Sequence, residues 1–302
     1  MARPPMPLWQ SLPLWALLNA AGLAVSFLPR RIELPLGRLL GRACFPFERR
    51  RRTVGTENLR RCLPELSEGE RAALLRANYD HYGMLFFELL HLFSPIPGHY
   101  RTYTLRISVV EGLENWKKAA AHGKGVIFAS CHLGNWEMMA AAGALAGIRN
   151  TMVTRHLNPE WLHKRMEASR LSVGAYAAYQ PRTLPAVMRA LRAGDCAGFV
   201  IDQYAPPPMG IPIRFFGVKV DTLHAVGPLA RRTGAAIVPA VTFRDERGIV
   251  HLLIEPELDL AGALGDPERV TQILADKVEA WIRAHPEQWL WVHRRFKNLP
   301  PQ

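Results

Sequence analysis

His132 and Glu137 are the residues of this sequence whose types and spacing best suit chemistry. They stand five positions apart in the segment HLGNWE, residues 132–137. A histidine with a carboxylate partner is a general-base arrangement, since an ordinary imidazole has a pKa of about 6.5 and a nearby carboxylate stabilises the imidazolium ion. In a chain with 11 histidines and 26 acidic residues such a spacing also arises by chance, so a buried structural histidine is an open alternative.

The residues around this pair predict a strand, a turn and a helix. Residues 126–130 are apolar or small and are typical of a buried strand. Glu137 precedes an apolar run over 138–146 that suits a helix, so its carboxylate falls in or near the first turn and can turn back toward the imidazole. His132 then lies at the carboxyl end of a strand, where open α/β sheets place their ligands. This placement favours catalysis over a structural role.

The composition indicates a folded, basic protein. Apolar residues make up 49% of the chain and charged residues 21%, and the net charge of +12 is carried mostly by arginine. Such a surface suits nucleic acid, anionic lipid or an acidic protein partner. The four cysteines form no Cys-x-x-Cys pair, which predicts neither a zinc site nor a disulfide framework and favours a reducing compartment. Nucleotide-binding motifs do not occur, so we expect no cofactor.

The first thirty residues predict a retained membrane anchor. No charged residue lies between Pro4 and Pro29, and residues 12–28 are almost continuously apolar. As a helix this run would span roughly 26 Å, at the short edge of what crosses a bilayer core, so the anchor either spans the membrane or lies in its interface. A secretory signal fits less well, because Arg3 alone makes a poor basic region and no cleavage site follows.

Basic residues after the anchor predict its orientation. They are Arg30, Arg31, Arg38, Arg42 and the run 49–52. By the positive-inside bias the remaining chain should be cytoplasmic, and beside an apolar anchor these arginines suit anionic lipid head groups. We therefore expect an anchor over 1–30 and a cytoplasmic-side domain over 31–302. Within that domain, 31–100 would be a helical lead-in and 101–302 an α/β core.

Strand and helix patterns alternate through the second part of the chain. A capping box at Ser67 and Glu70 begins a long predicted helix over 68–93. Strands are predicted at 126–130, 151–154, 197–202, 236–243 and 249–254. Helices are predicted at 136–145, 159–171, 184–191, 223–232 and 267–284. This alternation predicts an α/β fold with a central, mostly parallel sheet flanked by helices.

Further polar residues follow predicted strands and helices. Asp202 and Gln203 end their strand much as His132 ends the first one, so two polar strand ends would meet at one sheet edge and define a site. A loop-capping aspartate is the alternative. Arg155 and Arg170 have guanidinium groups that suit an anion such as phosphate, with plain surface cations as the alternative.

Several motifs, taken in order, resemble the bacterial lipid A biosynthesis acyltransferases, which add secondary acyl chains late in that synthesis. Segment 132–137 matches the family's His-x-x-x-x-acid motif with its usual Gly-Asn-Trp filling. The other matching positions are Asn58-Leu59 with Cys62, Pro64 and Glu65; Arg170 with Gly174; Asp202-Gln203; Phe215-Phe216-Gly217; Thr222, Pro228 and Ala230; and Trp289 to Lys297. The resemblance runs from about residue 8 to 298. The loop over 206–209 has residues that are less usual for this family.

The resemblance implies a glycerolipid-acyltransferase-like fold and transfer of an acyl chain from an acyl carrier protein thioester to a hydroxyl of a lipid A precursor. His132 would be the general base and Glu137 would orient it. Backbone amides at the turn would stabilise the oxyanion. The supporting or substrate-binding residues would be Asn135, Arg155, Arg170, Asp202 and Gln203. The resemblance also implies the cytoplasmic face of a bacterial inner membrane, an anionic membrane surface, no metal and no nucleic acid.

Two alternatives stay open. A related acyltransferase with the same core could acylate another lipid, such as a glycolipid or an ornithine-containing lipid. A non-catalytic membrane-binding or nucleic-acid-binding protein would account for the positive charge and for segment 289–297, which mixes tryptophans with basic residues. That second alternative leaves the order of the motifs unexplained.

Overall fold

The computed structural model describes residues 7–181, 183–260 and 262–300, and its first part is helical. The helices there are α1 (Leu8–Ser26), α2 (Arg30–Cys44), α3 (Arg49–Cys62), α4 (Glu68–Leu90) and α5 (His99–Ile107), with a 3-10 turn at His91–Phe93. The predicted capping box of α4 is confirmed: the Ser67 hydroxyl accepts from the Glu70 N–H at 3.2 Å, and the Glu70 carboxylate accepts from the Ser67 N–H at 2.7 Å.

A seven-stranded sheet forms the centre of the described residues. The strands of the chain are β1 (Ser108–Glu111), β2 (Val126–Ser130), β3 (Asn150–Thr154), β4 (Tyr176–Tyr179), β5 (Cys196–Val200), β6 (Gly210–Phe215), β7 (Val218–Leu223), β8 (Ala236–Arg244) and β9 (Val250–Ile254). The sheet order is β1-β9-β8-β2-β5-β3-β4, while β6 and β7 form a separate antiparallel hairpin. Only the β8–β9 pairing in the sheet is antiparallel. The predicted, mostly parallel sheet is confirmed.

Helices cover both faces of this sheet. They are α6 (Leu113–Ala120), α7 (Trp136–Leu145), α8 (Glu160–Leu171), α9 (Thr183–Arg192), α10 (Val226–Thr233) and α11 (Pro267–Ala284), with a second 3-10 turn at Pro286–Gln288. Alternate residues of β2 point to opposite faces, as the pleat of a strand requires. Ile127 and Ala129 pack in the core with α9, α10 and α11, whereas Val126 and Phe128 pack with α6 and α7.

Helices α2 and α4 cross in direct backbone contact. A Cβ atom on Gly37 would lie 2.6 Å from Met84 Cα, one on Gly41 would lie 2.0 Å from the Tyr79 carbonyl oxygen, and one on Gly83 would lie 1.9 Å from the Gly37 carbonyl oxygen. Real Cβ contacts do not become this short, so these three positions accept only glycine. The crossing fixes α2 firmly on α4.

Helix α1 lies along the 3-10 turn that follows α4. The Ser26 hydroxyl donates to the Ser94 hydroxyl at 2.7 Å, and Gly22 packs on the Phe93 backbone. The outward surface of α1 carries large exposed side chains: Trp9, Leu12, Trp15, Leu17, Leu23 and Phe27. Among residues 7–181, 183–260 and 262–300, no helix combines the length and apolar character needed to cross a membrane. The spanning form of the predicted anchor thus finds no support, and residues 1–6 of that segment lie outside the described residues.

Candidate active site

His132 and Asp202 form the centre of the site. The Nδ1 atom of His132 lies 2.7 Å from Asp202 Oδ1, and the His132 backbone N–H donates to Asp202 Oδ2 at 2.8 Å. Trp289 Nε1 donates to the same Oδ2 at 2.7 Å. Burial would raise the pKa of the Asp202 carboxyl, but the charge of His132 and these hydrogen bonds lower it to about 2. An ionised Asp202 holds the proton on Nδ1 and leaves the Nε2 lone pair of His132 available.

Adjacent strands bring these two residues together. Strands β2 and β5 run parallel, with Ser130 opposite Val200, and the Ile201 N–H donates to the Ser130 carbonyl at 3.0 Å. His132 and Asp202 each lie two positions beyond this pair, so both lie at the same edge of the sheet. The prediction that two polar strand ends would meet here is confirmed.

The other nitrogen of His132 faces the site. Gln203 Nε2 lies 3.3 Å from His132 Nε2, a long contact that an incoming hydroxyl can replace. The Trp136 ring stands edge-on to the imidazole, with 5.2 Å between ring centroids. The His132 side chain keeps 14% of its surface exposed. Nε2 is therefore placed to accept a proton from a group that enters the site.

Glu137 contacts Arg170 and not His132. Arg170 Nε donates to Glu137 Oε1 at 2.6 Å and Nη2 donates to Oε2 at 2.8 Å, and both side chains are buried. Burial opposes the charge of Arg170, but the hydrogen bonds and charge of Glu137 outweigh it and raise the pKa of the guanidinium. This corrects the expectation that Glu137 orients His132. A buried guanidinium requires a counter-charge, and Glu137, in the first turn of α7, supplies it.

Arg155 and Arg170 differ in exposure and in their partners. Arg155 is exposed in the loop after β3, whereas Arg170 is buried in the last turn of α8 and is engaged by Glu137. Anion binding by the two arginines stays a prediction. Arg170 belongs to the wall of the site.

Asn135 holds the turn between His132 and α7. Its Oδ1 accepts from the Met138 N–H at 2.9 Å, which caps α7, and its Nδ2 donates to Glu88 Oε2 at 2.8 Å. Glu88 is buried and also pairs with Arg244 and Arg30. Burial would raise the pKa of the Glu88 carboxyl, but the two arginines lower it to about 2. The sequence analysis missed Glu88, although an acidic residue inside the apolar end of α4 was a signal for it.

Gly134 allows the turn to pack closely on β8. Its φ is +62°, and a Cβ there would lie 2.3 Å from the Thr242 carbonyl oxygen. Its carbonyl accepts from His81 Nε2 at 3.2 Å, and its N–H donates to the Gln288 carbonyl at 3.2 Å. Burial and the neighbouring Arg244 lower the pKa of His81 to about 3, so His81 is neutral and donates as this contact requires.

The tryptophan-rich segment near the end of the chain is part of the core. Trp289 and Trp291 are 1% and 0% exposed, and Asn58 Nδ2 donates to the Trp291 carbonyl at 2.6 Å. Arg295 is also buried, where it donates to the Thr222 hydroxyl at 2.6 Å. Burial lowers the pKa of Arg295 to about 10. The alternative in which these tryptophans are exposed to bind nucleic acid or a membrane does not fit their burial, and Trp289 is a partner of Asp202.

An apolar cavity of about 140 Å³ begins at His132 and runs between α7 and the sheet. Polar residues at its mouth are His132, Glu137 and Arg170. Its apolar lining comprises Phe128, Met139, Ala140, Gly143, Ile148, Met152, Phe199, Ala240, Leu252 and Ile254. Gly143 lies seven residues beyond Trp136 on α7, or roughly 10 Å along the helix axis. The cavity therefore suits a linear apolar chain whose reacting end lies at His132.

Groups that could bind a metal are not found at this site. Among the residues that the structure describes, no three histidine, cysteine, aspartate or glutamate side chains come close enough together to hold an ion. The described arrangement can take a proton at Nε2, stabilise the resulting imidazolium with Asp202, and enclose an apolar chain beside both.

Comparison with known proteins agrees with this chemistry. The sequence model described as bacterial lipid A biosynthesis acyltransferase matches residues 9–298. The chain is 29% identical over 294 residues to the lipid A biosynthesis palmitoleoyltransferase of Escherichia coli (strain K12), covering 92% of this chain and 90% of that protein. It is 27% identical over 281 residues to the lipid A biosynthesis lauroyltransferase of the same strain, with 90% and 88% covered.

A relative with a different name matches a shorter part of the chain. The phosphatidylinositol mannoside acyltransferase of Mycobacterium tuberculosis (strain CDC 1551 / Oshkosh) is 30% identical over 248 residues, which covers 78% of this chain and 75% of that protein. The family match takes in the strand, turn and helix around His132, the strand end at Asp202 and the segment with Trp289. The protein is an acyltransferase and belongs to the bacterial lipid A biosynthesis acyltransferase family.

Proposed function

We propose that this acyltransferase moves a fatty acyl chain from an acyl carrier protein thioester to a hydroxyl of a lipid A precursor, with His132 as the general base. The observation that carries the proposal is the contact between His132 Nδ1 and the buried Asp202 carboxylate at the mouth of an apolar cavity. A base that faces its substrate through Nε2, beside a slot for an apolar chain, is what transfer of an acyl group requires.

In the proposed reaction the acceptor hydroxyl donates to His132 Nε2. As its oxygen attacks the thioester carbonyl carbon, Nε2 takes the proton and Asp202 stabilises the imidazolium. The tetrahedral oxyanion collapses, the C–S bond breaks, and the leaving thiolate takes the proton back from Nε2. Amides of the first turn of α7, next to His132, are the donors we assign to the oxyanion. One ester bond forms for each thioester broken, and no metal or cofactor takes part.

The apolar cavity is the proposed site of the donor's acyl chain. A dry apolar cavity of about 150 Å³ holds one benzene ring, so this cavity has room for on the order of six carbon atoms of an acyl chain. In this proposal Glu137 acts on Arg170, and the two fix the cavity mouth where the thioester would lie. Gln203 lies beside Nε2 and would contact the acceptor hydroxyl.

The outer surfaces of α1 and α2 support a place at the cytoplasmic face of a bacterial inner membrane. Trp9, Trp15 and Phe27 on α1 and Leu39 on α2 are exposed, and arginines follow them closely along the chain. We propose that this face lies in the interface of an anionic bilayer and that the net charge of +12 also attracts the acidic acyl carrier protein.

Acyl transfer in detergent micelles tests the proposal. Purified wild type and His132→Ala would receive acyl carrier protein thioesters of several chain lengths and a lipid A precursor, with the products read by mass spectrometry. We expect a gain of one acyl mass with the wild type and a loss of roughly 10²–10⁴-fold in rate with His132→Ala. No gain with any donor would reject the acceptor assignment. A gain that survives His132→Ala would reject the general base.

A second acceptor class is a phosphatidyl-linked glycolipid. The 30% identity to a phosphatidylinositol mannoside acyltransferase favours it. Both acceptors would be offered in the same micelles at equal concentration, and the ratio of the two product masses would assign the preferred acceptor. An ornithine-containing lipid can be offered in the same way.

A further inference from the structure

A second apolar site lies near His132 but outside the cavity just described. We call it the α2–α4 groove; its volume is about 410 Å³, and it lies between α2, α4 and the segment after Trp289. Its lining includes Leu40, Cys44, Tyr82, Phe86, Leu290 and Val292. None of the residues that line this groove also lines the apolar cavity.

The walls of the α2–α4 groove are held in place. Gly41 and Gly83, which also line it, belong to the close crossing of α2 and α4. The Tyr82 hydroxyl donates to the Trp289 carbonyl at 2.9 Å, which fixes α4 to the segment that forms the groove floor. These contacts prevent α2 from closing the groove by moving onto α4, so the space is available to a ligand.

The floor of the groove is hydrogen-bonded to the segment that contains His132 and Leu133. The Leu290 N–H donates to the His132 carbonyl at 3.1 Å, and Leu133 pairs with Trp289. Trp289 in turn donates to the carboxylate of Asp202. A molecule that lies on Leu290 therefore contacts a residue that is hydrogen-bonded to the His132 backbone.

The surroundings of the groove indicate what it binds. Phe86 is 46% exposed, and Leu39 and Phe47, which adjoin the lining residues Leu40 and Glu48 along the chain, are 62% and 85% exposed. Arg51 lines the groove and pairs with Glu48, and the exposed Arg49 and Arg50 precede it on α3. An apolar floor with a cationic rim matches a hydrocarbon chain that bears an anionic head group.

We propose that the α2–α4 groove binds a hydrocarbon chain already present on the anionic lipid acceptor and thereby holds the acceptor's free hydroxyl at His132. This inference rests on the proposed function. Transfer of an acyl chain to a lipid that already carries acyl chains needs two apolar sites near one base. The enclosed cavity takes the donor chain, and the open groove takes the acceptor chain and releases the product sideways into the membrane.

Cys44 provides a direct test of occupancy in the wild-type protein. It is exposed in the groove, whereas the other three cysteines, Cys62, Cys131 and Cys196, are buried. N-ethylmaleimide should therefore modify Cys44 first, and mass spectrometry would follow the rate. We expect vesicles that contain the lipid A precursor to slow this reaction about fivefold relative to phosphatidylglycerol vesicles, as four-fifths occupancy would give.

The comparison lipids decide what the protection means. Equal protection by phosphatidylglycerol vesicles would overturn the proposal, since the groove would then be a general contact with the membrane. Protection by the precursor after its acyl chains have been removed would also overturn it, because the head group alone would account for binding. These results do not depend on whether acyl transfer is observed.

A pair of substitutions on α2 tests the effect on catalysis. Cys44→Trp fills the groove, and we expect it to raise the KM for the lipid acceptor about tenfold, the equivalent of burying roughly two methylene groups, without a matching rise in the KM for the donor. Ala43→Trp is the control, since Ala43 is exposed on the same helix but does not line the groove.

The outcomes separate the two proposals. Equal acceptor KM values for both variants, with normal transfer in the wild type, would reject the groove and leave the proposed function standing. A failure of the wild type to transfer any acyl chain would reject the proposed function itself, while the Cys44 protection measurement would still decide on the groove.

Discussion

Asp202 accepts three hydrogen bonds, from the His132 backbone, from His132 Nδ1 and from Trp289. We expect Asp202→Asn to lower kcat by roughly 10²–10⁴-fold with little change in KM, because an amide does not stabilise the imidazolium ion. Steady-state kinetics, with the donor and the acceptor varied in turn, measure kcat and KM separately.

Glu137→Gln is the matched comparison for that variant. Glu137 contacts Arg170 and makes no hydrogen bond to His132 among the described residues, so this change should lower kcat by less than Asp202→Asn does. An equal or larger loss of kcat with Glu137→Gln would contradict the assignment of Asp202 as the partner of His132.

At the scale of residues, the sequence allowed us to identify the residues of the site, but it predicted the contacts between them less well. His132 and Asp202 were predicted to meet because strand ends at one edge of a parallel sheet must lie close together. The partner of Glu137 was not predictable, because spacing along the chain does not say which way a side chain in the first turn of a helix points. Arg170 reaches it from α8, 33 positions away.

At the scale of elements, α7 forms one wall of the proposed donor cavity. A Cβ on Gly143 would lie 3.7 Å from a methyl group of Leu252 and 3.8 Å from one of Ile148, an ordinary packing distance, so a small side chain fits there. We expect Gly143→Leu to shorten the preferred donor chain by about two to four methylene groups, because its carbon atoms occupy the same space. Competing thioesters, with products read by mass spectrometry, measure the preference.

Gly143→Ala provides a graded control for this change. It should shift the preference by less than Gly143→Leu, in the same direction. An unchanged chain-length preference in a folded Gly143→Leu protein would place the donor chain elsewhere.

Helix α4 supplies Glu88, whose buried carboxylate joins Arg30, Arg244 and Asn135. We expect Glu88→Gln to cost about 3 kcal/mol or more of stability at pH 7, because two buried guanidinium groups lose their counter-charge. Its folded-state pKa of about 2 lies below the unfolded value of about 4.3, so the contribution is present above pH 4.3 and is lost as the pH falls toward 2.

Denaturant unfolding at several pH values measures this effect. The difference in unfolding free energy between wild type and Glu88→Gln should shrink as the pH falls from about 4.3 toward 2. A difference that stays constant over that range would show that Glu88 carries no net interaction with the two arginines in the folded state.

Five of the seven sheet strands were predicted, whereas β1, β4 and the separate β6–β7 hairpin were not. Its turn places Phe216 and Gly217 at φ values of +49° and +73°, and phenylalanine is not a residue from which a turn with positive φ is expected. Pro212 inside β6 also argued against a strand, yet a two-stranded ribbon has only edge strands, where proline is tolerated. The predicted helix over 223–232 accordingly began three residues too early.

At the scale of the whole molecule, the apolar face of α1 and the arginines that follow it predict binding to anionic bilayers. We expect the protein to associate with phosphatidylglycerol vesicles, less so as salt is added, and the double change Trp9→Ser and Phe27→Ser to weaken binding at least about tenfold. Vesicle sedimentation measures this. Leu184→Ser is the control, since Leu184 is an exposed apolar residue on α9.

Equal binding by the double variant and the control would contradict the proposed orientation on the membrane.

The sequence predicted a membrane-directed N-terminal segment from its lack of charge, which composition alone reveals. Composition did not reveal that Trp289, Trp291 and Arg295 are buried, because tryptophan and arginine suit a core as well as an interface when hydrogen-bond partners are available there.

The ion pair of Arg30 with Glu88 has a practical consequence for protein engineering. Removing an N-terminal membrane segment is a usual way to improve solubility, and residue 31 would be the natural starting point here. Such a truncation would delete Arg30, one of the two arginines that pair with the Glu88 carboxylate. Glu88 also accepts a hydrogen bond from Asn135, the N-cap of α7. The shortened protein would thus lose support for the turn beside His132. A form that keeps α1 and α2 complete and replaces the exposed apolar residues of α1 with polar ones avoids this loss.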